Sequence, residues 1–244
     1  SLLLKNEEEV IRPGDEIILT PSAFESCSFT LHAVTIGVNF HWQRNEDQTF
    51  MGNLKFILRG GQVTAVNVLP VEEYLVSVIS SEMSANSSGE LLRAHAVISR
   101  SWLLAQMDKT LRLSDAGEKY RTSFVTDTEI TRWYDREDHR DYDVCADDHC
   151  QRYQGITRAS TKAVEEAVRE TEGEVLMYGE FICDARYSKC CGGAAELFEN
   201  VWEPVNHPYL RKVIDAAGAS GTADTDLTDE KNAVEWICGQ PEAF

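Results

Sequence analysis

No apolar run in the sequence approaches the ~20 residues that a transmembrane helix requires. The longest apolar stretches are interrupted by Glu, Arg or Ser, so no spanning segment is expected within these 244 residues. Basic residues are scarce as well. There are 23 Lys and Arg against 41 Asp and Glu, giving a net charge of −18. Binding to phosphate backbones needs clustered cations, which excludes nucleic acid from the expected partners and favours a neutral or weakly charged one. The acidity is also what keeps a protein soluble. Internal repeats and low-complexity tracts are absent. The seven cysteines, at 27, 145, 150, 183, 190, 191 and 238, lack the regular spacing of a small disulfide scaffold, and an odd number cannot pair completely within the chain. The chain starts at Ser1, with no basic segment followed by an apolar one. We expect a piece of a longer protein whose signal or anchor segment lies outside it.

What is present is ordinary for a globular protein: 43% hydrophobic and 26% charged residues. The length suits one large domain or two small ones. Residues 1–68 read as a β-rich part packed into the same unit as the rest of the chain. Short runs rich in β-branched and aromatic residues occur at 17–19, 34–38, 51–58 and 63–68, separated by turn signals at Pro13-Gly14-Asp15, Asn45-Glu46-Asp47 and Gly60-Gly61. The glycine pair predicts a hairpin. Residues 69–244 read as an α+β domain. Periodicity predicts a short helix over 71–79 and a long one from Leu91, its start marked by a Ser87/Glu90 capping box. Residues 108–144 read as a long excursion with short helical pieces, of the kind that is functional or tied down. A further helix is expected over 160–172 with Gly173 as its stop, then a hairpin around Gly179-Glu180, a loop over 215–230 and a short helix at 233–238. The fold class expected is α+β, with mixed antiparallel strands and a few helices around a central cleft.

Four groups of residues could carry chemistry. Glu82 stands at the seam between the apolar segment VEEYLVSVI and the next helix. A carboxyl held partly among apolar groups favours its acid form, as a general acid requires, though a carboxylate there can equally cap or solvate a helix end. His139, Cys145, His149 and Cys150 put four zinc-type donors within twelve residues. Their spacing matches no zinc-finger pattern, and a Cys145–Cys150 disulfide or two buried thiols would explain the cysteines as well. Tyr187-Ser188-Lys189-Cys190-Cys191-Gly192-Gly193 ends in glycines that permit close approach of a ligand. A cysteine nucleophile there would need His95 or His207 as base, and packing is the plainer role for adjacent cysteines. Arg93 and Arg100, about two turns apart on the long helix, could point together into a cleft near Glu82 or form surface ion pairs.

These segments together resemble a known family. LPVEEYLVSVISSEM followed by LLRAHAVISRSWLLA is similar to LP-x-EEYL-x-GV-x-x-SEM followed by ALKAQAVAARTYA, the signature of the stage II sporulation protein D family, which also contains amidase-enhancer proteins. VCADDHCQRYQG resembles the family's second block, and YSKCCGGAAELFENVW with HPYLRKV resembles its third, so the likeness runs in order over about residues 50–215. It implies a lytic transglycosylase that cuts peptidoglycan strands between N-acetylmuramic acid and N-acetylglucosamine, leaves 1,6-anhydro ends and prefers glycan without stem peptides. The implied catalytic residue is Glu82. Arg93, Arg100, Tyr187, Ser188, Gly192 and Gly193 are the implied substrate-binding residues, and His139, Cys145, His149 and Cys150 the implied ligands of a structural zinc. Catalysis would need no cofactor. A peptidoglycan substrate places the domain outside the cytoplasmic membrane, with a cell-wall amidase as a further partner. The alternative the resemblance allows is a non-catalytic peptidoglycan-binding module that enhances such an amidase. The chain departs from the family pattern at His95 (Gln), Ser77 (Gly), Ser101 and Trp102 (Thr and Tyr), and in the three-residue gap between Cys145 and His149.

Overall fold

The strands begin where β-branched and aromatic residues alternate with polar ones. The computed structural model describes residues 2–5, 10–38, 40–116, 123–132, 139, 141–146, 149–157, 160–215, 226 and 229–239. β1 (Leu2–Lys5) and β2 (Val10–Gly14) pair antiparallel, and β3 (Glu16–Leu19) follows. β4 (Ser28–Ile36) and β5 (Arg44–Met51) form a two-stranded ribbon. β6 (Asn53–Arg59) and β7 (Gln62–Val68) join β3 in an antiparallel sheet of order β3-β6-β7. The expected hairpin is present: Gly60 and Gly61 take φ of 56° and 82° between β6 and β7, the positive φ that a tight two-residue turn demands. Ile17 and Leu54 are buried on one face of the sheet and Ile57 on the other. β5 corrects the turn expected at residues 45–47. Arg44 and Glu46, which pair at 3.1 Å, share a face with Gln48 and Phe50 further along the strand, and Asp47 lies on the opposite, outer side, where it accepts the Ala33 amide at 2.9 Å and meets His32 Nδ1 at 2.9 Å across the pair. Gln48 and Phe50 face the interior.

Three helices complete the core. α1 (Val71–Glu82) runs three residues beyond the apolar segment that predicts it. Ser80 is accommodated in the extra turn because its Oγ donates to the Val76 carbonyl at 2.7 Å. Glu82 is therefore the last helical residue. α2 (Gly89–Ala116) is 28 residues long and takes up the start of the expected excursion. Its cap differs from the capping box. Ser88 Oγ accepts the Leu91 amide at 3.3 Å, and Glu90 turns to Arg93 at 3.2 Å. β8 (Ser123–Val125) and β9 (Ile130–Arg132) form a small hairpin beyond it. α3 (Lys162–Glu170) is capped by Thr161, whose side chain accepts the Val164 amide. Val164, Ala167 and Val168 are buried, while Ala163, expected on the inner face, is exposed.

Leu75, Val78 and Ile79 of α1 pack with Leu92 and Ala96 of α2 and Val164 of α3, all at 0% exposure. Each such large side chain contributes about 1.5–3 kcal/mol by leaving water. Phe50 of β5 belongs to the same cluster, and Phe29 and Leu31 of β4 pack against it, so the ribbon shares the helices' core. Beyond α3 come the short hairpin β10 (Met177–Tyr178) and β11 (Phe181–Ile182), then α4 (Phe198–Val201), an isolated bridge between Ala194 and Ile214, and α5 (Glu230–Gly239). Most of the loop expected over 215–230 lies outside the described residues.

Candidate functional site

The residues that converge around Glu82 are ordered by one stretch of chain, residues 150–157, threaded against α1 and α2. Glu82 Oε1 accepts the backbone N–H of Arg152 at 2.8 Å. Among the described residues this is the carboxylate's sole hydrogen bond, and the half-buried side chain leaves its other oxygen open. One residue earlier, buried Gln151 is a hub. Its Oε1 accepts the Tyr74 hydroxyl at 3.2 Å, and its Nε2 donates to the Ser99 carbonyl and the Tyr187 hydroxyl, both at 3.3 Å. Further on, Tyr153 stacks against Tyr74 at 5.1 Å, and Ser77 Oγ accepts the Gln154 amide while donating to the Gly155 carbonyl at 2.7 Å. Gly155 has φ of 56°, and a Cβ there would lie 2.4 Å from the Thr49 carbonyl oxygen, so only glycine lets the stretch lie against β5. Ile156 N–H then donates to that carbonyl at 2.8 Å.

Tyr187 is brought to Glu82 by the segment after β11. Burial, and next the Glu82 charge, push its hydroxyl up to about 12. It is a neutral phenol at any ordinary pH. The ring of His95 meets that of Tyr187 edge-on, 5.0 Å between centroids. His95 is 1% exposed, neither ring nitrogen has a partner among the described residues, and burial lowers it to about 4. It is therefore a neutral imidazole.

The four expected metal ligands also converge. The ligand atoms of His139, Cys145, His149 and Cys150 all lie within 4.8 Å of one another. Cys150 Sγ is 3.4 Å from both His139 Nε2 and His149 Nδ1, and Cys145 Sγ is 3.9 Å from His149 Nδ1. Cys145 and Cys150 are not joined in a disulfide. The set could hold a tetrahedral ion, and its last member, Cys150, immediately precedes the residues that fix Glu82.

The arginines part company. Arg93 forms surface pairs with Glu90 at 3.2 Å and Glu170 at 3.3 Å. Arg100 is 1% exposed and locks three helices together: it binds Glu72 of α1 through two nitrogens and donates to the carbonyls of Val168 and Glu174. Buried against these partners, Arg100 has no surface for a ligand. Ser188 and Gly192 are exposed, and Gly193 is buried with its carbonyl accepting the Asp215 amide at 2.9 Å. Cys191 Sγ reaches Asp215 at 3.5 Å, and neither His95 nor His207 bonds a thiol among the described residues, so the pairing required for a cysteine nucleophile is not formed. Sequence reasoning misses Gln151, Arg152 and Glu72. Two of them lie in the block VCADDHCQRYQG, but glutamine and arginine give no hydropathy signal that their segment is buried.

Comparison with known proteins adds an independent line. The family model described as SpoIID, stage II sporulation protein, matches residues 59–178, which includes Glu82 and the four-donor cluster; the third block of motifs lies beyond it. The chain is 27% identical over 150 residues to stage II sporulation protein D of Bacillus subtilis and 26% identical over 149 residues to that of Bacillus amyloliquefaciens. Each match covers 61% of this chain and 39% of the Bacillus protein's length. An uncharacterized protein of Brachyspira hyodysenteriae is 28% identical over 161 residues, 66% of this chain and 36% of that one. Residues 59–178, just under half of the chain, are thus similar to the SpoIID family of stage II sporulation proteins.

Proposed function

We propose that the protein is a lytic transglycosylase of peptidoglycan with Glu82 as its single acid and base. The observation that carries this reading is the held carboxylate: one Glu82 oxygen is fixed by the Arg152 amide at 2.8 Å, the other is open, and a neutral Tyr187 hydroxyl, bonded to the neighbouring Gln151, lies near enough to feel its charge. As acid, Glu82 gives its proton to the glycosidic oxygen between N-acetylmuramic acid and N-acetylglucosamine, and the bond from that oxygen to the muramic C1 breaks. As base, it takes the proton from the muramic 6-hydroxyl as this oxygen closes on C1, which forms the 1,6-anhydro end and restores the carboxyl. The nucleophile belongs to the substrate, so no second carboxylate has to activate water as it does in an inverting glycosidase. Tyr187 donates a hydrogen bond to the sugar, while Arg93, Ser188 and the Gly192-Gly193 turn contact the glycan further along.

The same reading gives His139, Cys145, His149 and Cys150 a structural Zn²⁺. With Zn–S near 2.3 Å and Zn–N near 2.0–2.1 Å, tetrahedral donors stand roughly 3.3–3.8 Å apart; three of the six donor pairs stand at 3.4–3.9 Å, in a set that lies within 4.8 Å. Four protein ligands leave no open position, so the ion supplies rigidity to the start of the 150–157 stretch. A peptidoglycan substrate places the domain outside the cytoplasmic membrane; no described helix is long and apolar enough to cross one.

The test is digestion of purified peptidoglycan, with and without stem peptides, followed by mass spectrometry for anhydromuramic ends. The native protein should release them, and Glu82→Gln should lower the rate by at least about 10²-fold, the usual contribution of a general acid–base group. Absence of products from the native protein, with glycan binding retained, would sink the enzymatic reading and favour a binding module that enhances a partner amidase.

A further inference from the structure

Arg152 holds Glu82 with its backbone and leaves its side chain uncommitted. Its amide gives the 2.8 Å bond to the carboxylate, but among the described residues its guanidinium makes no hydrogen bond and no ion pair. Arg93, Arg100 and Arg186 differ, since each pairs with a carboxylate. The Arg152 side chain is half-buried, so it has given up part of its hydration without an acceptor in return. It is nonetheless held in place. Its guanidinium carbon lies 5.9 Å from the centroid of the Trp42 ring, within the range of a cation–π contact. Trp42 is fixed in turn at the tip that joins β4 to β5. Its ring lies against Gly37, where φ is 68° and a Cβ would stand 2.3 Å from Cζ3, and it stacks on Phe40 at 5.5 Å. Phe40 N–H donates to the Gly37 carbonyl and Gln43 N–H to that of Phe40, both at 3.0 Å, which closes the tip on itself. The support for Arg152 thus comes from ahead of residue 59, where the family match begins. A cation that is positioned but unpaired, on the residue whose amide fixes Glu82, is suited to an anion brought by the ligand.

We propose that Arg152 binds a carboxylate of the substrate and so makes the site selective for an acidic sugar. On the reading of Glu82 given above, on which this inference rests, that group is the free lactyl carboxylate of a muramic acid seated against Glu82. The planar guanidinium matches a carboxylate through two parallel N–H···O bonds. Elsewhere a chain of net charge −18 repels an anionic sugar. Trp42 is a positioning residue, which acts by holding the guanidinium. A muramic acid whose lactyl group is an amide offers Arg152 an oxygen but no charge, and it binds less well.

The test uses the full chain carrying Glu82→Gln, so that the glycan stays intact, and calorimetry with two ligands: glycan strands stripped of stem peptides, and the same strands with their lactyl carboxylates converted to methylamides by carbodiimide and methylamine. The free-carboxylate strands should bind at least about tenfold more tightly, the effect of a charge-assisted hydrogen-bonded pair. Adding Arg152→Met should abolish the difference by weakening only the free-carboxylate strands, and Arg152→Lys should keep a smaller part of it. Trp42→Leu should shrink the difference while holding the amidated strands within about twofold. Equal binding of the two ligands by the Glu82→Gln chain, which depends on no further variant folding, overturns the proposal; so do a preference that survives Arg152→Met and a failure to bind either ligand. Digestion by the native chain separates this inference from the reading it rests on. Anhydro ends released equally from both strands overturn the role of Arg152 and leave that of Glu82 standing, whereas selective binding without products does the reverse.

Discussion

His95 shows how one side chain writes itself into the behaviour of a site. Its imidazole is enclosed beside Tyr187 with both nitrogens unpartnered, and burial lowers it from 6.5 to about 4. In the unfolded chain it would take up a proton near pH 6.5. Below that pH the unfolded state binds the extra proton and the folded state does not, so stability is full above pH 6.5 and falls as the pH drops towards 4. At about 1.4 kcal/mol per pH unit, the group accounts for a loss of about 3 kcal/mol across the window. Urea unfolding at pH 7 and pH 4.5 should show this loss, and His95→Leu should show a clearly shallower one; equal slopes in the two proteins would refute the assignment. The sequence does bring His95 to notice, as a departure from the family pattern at a helix position. It does not reveal that the ring is sealed, because that depends on Tyr187, which is 92 residues away in the chain. Glu82 is legible for the opposite reason: it stands at a sharp local change from apolar to polar residues.

At the scale of elements, the 150–157 stretch is the connection on which the site depends. It carries a donor of the four-residue cluster at one end, the amide that holds Glu82 in the middle, and the glycine that lies against β5 at the other end. Loss of a metal from the cluster should therefore be felt at the carboxylate as well as in stability. The protein as purified should contain one zinc per chain by elemental analysis. Chelation, or Cys145→Ser, should remove the metal and lower the melting temperature by at least about 5 °C, the effect of about 2 kcal/mol in a chain of this size. A preparation that holds no zinc and melts unchanged with chelator would count against the structural ion. Helices and hairpins with local signals, such as α3 with its apolar stripe of Val164, Ala167 and Val168 and the Gly60-Gly61 turn, can be read from sequence. β5 cannot, because its first half, residues 44–47, is polar or charged on both faces and the bonds that make it a strand come from β4. Nor can the 150–157 stretch, whose burial is achieved by Gln151, Tyr153 and Gln154 through hydrogen bonds to partners far along the chain.

The whole molecule is held by contacts that ignore the division between a β-rich first part and a helical second part. Phe50 sits in the helices' core, Thr49 bonds Ile156 and Thr157, and Arg100 closes α1, α2 and α3 around a buried ion pair. The α+β class could be read from the sequence, since alternating and helical patterns are confined to different stretches. The placement of Arg100 could not, because nothing local distinguishes a cation that seals three helices from one that faces a cleft. If Phe50 and its neighbours are integral to the core, a fragment comprising residues 59–178 should lack cooperative unfolding and give a weak, broad thermal transition, whereas the full chain should melt in one step. A sharp melt of the fragment would show that the ribbon is dispensable.

The fit of Gly155 beneath Thr49 and Phe50 bears on inheritance. The stretch matched by the family begins at residue 59, yet its glycine has no room for a side chain because of a strand that lies before that point. The matched segment and the strand before it must therefore change in concert: a lineage that rebuilt the strand at 49–50 would release the constraint at 155, and one that lost the glycine would have to rebuild the strand.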